Sequence, residues 1–139
     1  MRVVLDTRFF IEGFTSADTK FTKWSKMTLD TLEKETNKGI VPSIVILELF
    51  KFHLQHYGRE VAEIRVNSVI KSSLQIINLD SAIAVEAAKL RCKYADLPTA
   101  DAIIAATSIK TASDCVLTDD NHIKQIKETK TRWAAPINP

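Results

Sequence analysis

Glycine is scarce in this chain, with three in 139 residues, and only four prolines and two cysteines accompany it. So few glycines leave no Gly-rich loop to cradle a nucleotide's phosphates, which argues against a nucleoside-triphosphate enzyme. Cys92 and Cys115 have neither metal-ligand spacing nor the density of a disulfide framework, so the expected setting is reducing and cytoplasmic. No apolar run approaches the roughly 18 residues a membrane helix needs, and no membrane partner is expected. The opening MRVVLDTRFF meets an acid at Asp6 before any long apolar stretch, unlike a secretory signal. Charge of one sign is lacking too. The formal net charge is +2 and the pI about 8.5, which permits a nucleic-acid partner without demanding one.

What is present is an ordinary globular balance, 45% hydrophobic and 26% charged. The length suits one domain over residues 1–139, with a core of about 2–130 and a short tail, PINP. RVVLD (2–6) reads as a buried strand ending at an acid. Residues 7–21 carry no clear period. A helix is expected from about Thr22, with Trp24, Met27, Thr28 and Leu32 on its stripe and NKG (37–39) as its exit. Ser43 is the expected cap of a helix carrying Ile44, Val45, Leu47, Leu49 and Phe50, with Glu48 its one acid in an apolar stretch. After Gly58 come a helix over Val61–Val69 and a strand at 74–79. An alanine-rich helix capped by Asp80 or Ser81 then runs to about Lys93. Pro98 and Thr99 open the next helix, to about Thr111. DCVLTDD (114–120) is a strand turning acidic, and a short helix over 122–129 is expected last. This alternation is that of an α/β domain with a mainly parallel sheet, whose ligands gather beyond the carboxyl ends of the strands.

Acids stand where such ligands bind, or on apolar helices: Asp6, Glu48, Asp101, Asp119 and Asp120. A carboxylate in apolar surroundings needs exposure, a partner or a cation. A shared divalent ion would satisfy all of them, and an all-oxygen set suits Mg²⁺ or Mn²⁺. Each acid also has a plainer explanation. Asp101, in the first turn of its helix, is favoured by the helix dipole, although Thr99 and Asp101 do not have capping-box spacing. Glu48 could face solvent, and the Asp119–Asp120 pair could mark a turn. Patterning alone leaves both readings open.

Four stretches in order resemble the motifs of the PIN-domain family, and among its members the VapC-type toxins of toxin–antitoxin pairs. VVLDTRFF resembles the opening strand with its Asp and hydroxyl residue. VPSIVILEL resembles the second motif, with a Glu inside a helix. DAIIAATS is similar to the third, an Asp starting an Ala-rich helix, and VLTDDNHI to the fourth, an acid two residues past a Thr. The resemblance extends from Arg2 to about Ile126 and implies a three-layer α/β/α fold. It implies that Asp6, Glu48, Asp101 and Asp120 are the catalytic, metal-holding acids. Asp119 sits at a variable position beside them, either assisting the metal or facing solvent. Thr7 and Thr118 match hydroxyls that orient carboxylates. His122 matches a common position to which no role can be assigned, and Ile123 stands where an aromatic is usual.

The activity implied is metal-dependent endoribonuclease, with RNA as substrate, a cognate antitoxin and a homodimer as partners. Arg8 and Lys51 are the candidate phosphate contacts. The Trp24–Leu32 helix and ELFKFHLQHYG (48–58) are the candidate partner surfaces. The alternative is a PIN-like RNA-binding or rRNA-processing protein with a non-toxin role or weak catalysis. A receiver domain lacks its paired early acids here, and a haloacid-dehalogenase-like phosphatase lacks its Asp-x-Asp.

Overall fold

Val3, Val4 and Leu5 are fully buried, and an aliphatic run buried on both faces belongs at the centre of a parallel sheet. The computed structural model, which describes residues 1–135 and 137, places them there. β1 (Arg2–Leu5) pairs in parallel with β2 (Lys38–Pro42) on one side and β4 (Cys115–Leu117) on the other. β3 (Gln75–Ile77) and β5 (Thr131–Arg132) complete the order β3-β2-β1-β4-β5, parallel throughout.

Among the described residues seven helices cover the sheet: α1 (Thr7–Thr15), α2 (Thr19–Leu32), α3 (Ser43–Tyr57), α4 (Arg59–Ile70), α5 (Ser81–Lys93), α6 (Thr99–Lys110) and α7 (Asn121–Lys124). One apolar cluster joins the strands to Phe9 and Phe10 of α1, Leu32 of α2, Val45 and Leu49 of α3, and Val66 and Val69 of α4. A second fills the space between α5 and α6 with Ile83, Ala87, Leu90, Leu97, Ala102 and Ile103. The result is the α/β/α sandwich expected. Among the described residues, no helix is long and apolar enough to cross a membrane.

Several local expectations need correction. Residues 7–15 form α1, where no element was expected, and α2 both starts and ends earlier than expected. NKG does not close that helix. Lys38 and Gly39 belong to β2, and a Cβ on Gly39 would collide with the side chain of Leu74 and come within 3.0 Å of Leu32. Close packing therefore accounts for this glycine. Ser43 is the first residue of α3 and caps nothing; its hydroxyl accepts from the Leu79 amide at 3.1 Å, tying α3 to the segment after β3. Asp80 does cap α5, accepting from the Ile83 amide at 2.9 Å. The last helix stops at Lys124, and the chain returns as β5, an edge strand of two residues. The expected tail PINP lies outside the described residues except for Ile137, which is buried.

The strand order sets the carboxyl ends of β2, β1 and β4 side by side, and α3, α1 and the Thr118–Asp120 segment leave from them.

Candidate metal centre

Asp6 ends β1 and caps α1. Its Oδ1 accepts from the Thr7 amide at 2.7 Å, and its Oδ2 accepts from the Thr118 hydroxyl at 2.6 Å. Thr118, fully buried at the end of β4, also accepts from the Asp120 amide at 3.0 Å through the same oxygen. The Thr7 hydroxyl donates to Glu48 Oε1 at 2.7 Å, which turns the one acid of α3's apolar stretch toward β1. Two threonines thus fix three of the acids.

Asp120 caps α7, its Oδ1 accepting from the His122 amide at 2.7 Å. The imidazole folds back, with Nδ1 3.2 Å from that same Asp120 oxygen and 3.7 Å from Asp101 Oδ2. Asp101 enters from the first turn of α6, its side chain 17% exposed. Among the described residues it accepts no hydrogen bond, so it does not cap its own helix. The fold brings Asp6, Glu48, Asp101 and Asp120 to one place. It sets Asp119 apart, forked onto Arg8, with Nη2 to Oδ2 at 3.0 Å and Nε on Oδ1. Lys51 is exposed on α3.

Burial first, and then crowding of like charge, shapes the acidities. Burial raises the Asp101 carboxyl to about 7, helped by the negative charges of Asp120, Asp6 and Glu48 and opposed by His122. Burial also raises Asp6, to about 6, against the pull of the Thr118 and Thr7 hydrogen bonds and with that of Glu48 and Asp120. Such groups are short of a compensating cation.

Donor chemistry tests whether a divalent ion fits. Asp101, Asp120 and His122 each offer one ligand atom, and the three atoms lie within 4.8 Å of one another. The spacings of His122 Nδ1 from its two carboxylates approach the roughly 3 Å between neighbouring ligands of an octahedral ion with bonds near 2.1 Å. Oxygen donors with one imidazole suit Mg²⁺ or, better, Mn²⁺. The residues fit. His122 is a candidate donor to which the sequence alone assigns no role; its signal is its place two residues after a helix-capping acid.

The PIN-domain model matches residues 3–129. This chain belongs to the PIN-domain family. Its fold is that of solved VapC-type structures. VapBC2 of Rickettsia felis, solved on a DNA fragment from its promoter, aligns with a TM-score of 0.77 at 19% identity, covering 96% of this chain and 98% of that one. VapBC-1 of nontypeable Haemophilus influenzae aligns at 0.76 and 14% identity, with the same coverages. VapC20 of Mycobacterium tuberculosis, described as a toxin cleaving the sarcin–ricin loop, aligns at 0.71 and 12% identity, covering 88% of this chain and 92% of that one. No curated protein sequence matches the chain. At these identities the likeness establishes the architecture of this PIN domain; its chemistry rests on its own residues.

Proposed function

We propose that this PIN domain, acting as one unit across residues 1–139, is a divalent-metal-dependent endoribonuclease and the toxin of a toxin–antitoxin pair. The observation carrying the reading is the convergence of Asp6, Glu48, Asp101 and Asp120 at the carboxyl edge of the sheet, where burial and then the neighbouring carboxylates raise Asp6 to about 6 and Asp101 to about 7. Asp6, Asp101 and Asp120 are assigned as ligands of Mg²⁺ or Mn²⁺, with Glu48 beside them and His122 as an added donor. When bound, the ion would neutralise phosphate charge and acidify the attacking water.

The chain supplies orientation and a proton acceptor. Thr118 fixes Asp6 and anchors the Asp120 amide, so two acids from different strand ends keep one geometry. Thr7 occupies Glu48 Oε1, which leaves Oε2 to align the water and accept its proton as the oxygen attacks phosphorus. The ribose oxygen opposite the attacking water departs, taking a proton from solvent.

Related folds solved as toxin–antitoxin complexes support an antitoxin partner. Leu47, Leu54 and Tyr57 of α3 and Met27 of α2 are exposed apolar side chains, which suits an antitoxin or a second copy in a homodimer. A cytoplasmic location is part of the reading. The test is cleavage of mixed structured and single-stranded RNAs by antitoxin-free protein with Mg²⁺, Mn²⁺ or EDTA, beside Asp101→Asn. Cleavage that needs metal and is lost in the variant supports the reading. A folded wild-type protein inert in both metals overturns it.

A further inference from the structure

We propose that Asp119 serves Arg8 and not the metal: it holds the guanidinium at the rim of the acid cluster, where Arg8 binds the phosphate backbone of the RNA. The proposal rests on the nuclease reading and adds a substrate-positioning pair to it.

The pair joins the two segments that carry the central acids. Arg8 lies two residues past Asp6, in the first turn of α1, and Asp119 stands between Thr118 and Asp120. The contact is side-on, with Nε and Nη2 of Arg8 on the two oxygens of Asp119, a forked arrangement stronger than a single ionic contact. Both Asp119 oxygens therefore face Arg8. Asp119 is absent from the group of ligand atoms gathered around Asp101, Asp120 and His122. Glu12, one turn along α1, lies 3.9 Å from Nη2 and steadies the same group.

A guanidinium has two usable edges. The Nε–Nη2 edge is occupied; among the described residues no hydrogen bond engages Nη1, and the Arg8 side chain is 46% exposed. The outer edge is therefore open to a phosphate's two oxygens. Asp6 is among the charges acting on Arg8, which places the cation within electrostatic reach of the cluster. Such a cation is needed there. Four carboxylates outweigh one divalent ion, and although Asp119 and Glu12 offset the charge of Arg8, its free N–H edge gives an approaching phosphate directed donors at the rim. Lys51 is exposed on a flexible stem, whereas Arg8 is already oriented and loses less side-chain freedom on binding.

The experiment measures steady-state cleavage of a fluorogenic mixed-sequence RNA in Mg²⁺ between about 50 and 200 mM salt. Mn²⁺ binding by electron paramagnetic resonance is measured on the same proteins. Arg8→Gln is expected to raise KM about tenfold with kcat nearly unchanged, and to flatten the salt dependence of kcat/KM by about 0.7 to 0.9 in log–log slope. Asp119→Asn is expected to raise KM about threefold, and to add nothing in the Arg8→Gln background. Arg8→Lys should not restore KM, because an ammonium cannot serve two edges. Neither Arg8→Gln nor Asp119→Asn should weaken Mn²⁺ binding. Loss of Mn²⁺ affinity in Asp119→Asn comparable to that in Asp120→Asn would make Asp119 a ligand and overturn the proposal. A lowered KM in Asp119→Asn, or an unchanged KM and salt slope in Arg8→Gln, would overturn it as well while leaving the nuclease reading intact. Wild-type protein that binds Mn²⁺ yet cleaves no RNA would remove both.

Discussion

At the N-terminal edge of the sheet, Asp114 accepts from the Arg2 amide at 2.7 Å, and the Arg2 guanidinium donates to the Thr111 carbonyl. The terminal ammonium donates to Thr36 O at 3.0 Å and to Asn37 Oδ1 at 3.2 Å. At the opposite edge Asp6, Glu48, Asp101 and Asp120 face one another; hydrogen bonds from threonine hydroxyls and backbone amides hold Asp6, Glu48 and Asp120 in place without cancelling their charge, and among the described residues Asp101 accepts none. One edge is completed by the chain's own groups. The other is partly buried and crowded with like charge, a combination that costs the fold stability and that a divalent cation could offset.

The comparison breaks most sharply at Asp101. Asp101→Asn should cost at least about a hundredfold in metal-dependent RNA cleavage, since loss of even a ligand's supporting partner costs roughly 10- to 100-fold. The same change should raise the thermal midpoint of the metal-free protein, because an amide removes a crowded charge. A variant that lost cleavage and stability together would point to a structural role instead.

Thr118→Val comes next. It removes the donor to Asp6 and the acceptor of the Asp120 amide in a fully buried position, at an expected cost of about 1 to 3 kcal/mol by urea unfolding. Metal affinity should fall about 10- to 100-fold by calorimetry.

The pH dependence has a definite sign. Asp6 and Asp101 titrate at about 6 and about 7 in the folded protein, above their ordinary 3.8. Across this interval the native chain holds protons that the unfolded chain has released. Their contribution to stability is complete below about pH 4 and is lost as pH rises through 6 and 7. Thermal melts in EDTA should therefore show a midpoint that falls over that window. Mg²⁺ should offset the fall increasingly toward about pH 7.5, and Asp101→Asn should flatten its upper half. A midpoint that rises with pH in EDTA would contradict this reading of the acids.

Asp114→Asn is the smallest change and the control for the other edge. The amide oxygen still accepts from Arg2, so cleavage should be unchanged and stability should drop by about 1 kcal/mol or less in urea.

Much of this arrangement is legible in the sequence. Asp6 closing a buried strand and Asp101 in the first turn of an apolar helix can be read from local pattern. The strands expected at 2–6, 74–79 and 114–120 fall close to β1, β3 and β4. β2 is not legible: Gly39, Ile40 and Val41 are a short run buried on both faces, which periodicity cannot separate from a lead-in to α3. α1 has local signals, since Asp6 as its cap, Phe10 with Phe14 and Arg8 with Glu12 all have helical spacing, but residues 7–21 as a whole carry no clear period, and the contact between Arg8 and Asp119 is hidden with it. That the acids meet cannot be read from positions 6, 48, 101 and 120. It follows from the order β2-β1-β4, which sets three strand ends side by side and leaves α6 to bring in the fourth acid. Family resemblance supplied that convergence where local pattern could not.

The most direct test of the central claim is a Mn²⁺ titration of the protein alone at about pH 7.5, followed by electron paramagnetic resonance, beside Asp101→Asn. Saturable binding is predicted for the wild-type protein, with at least about tenfold weaker binding by the variant. Equal, weak binding by both would mean that the acidic edge holds no ion, and the claim of a metal centre would be wrong.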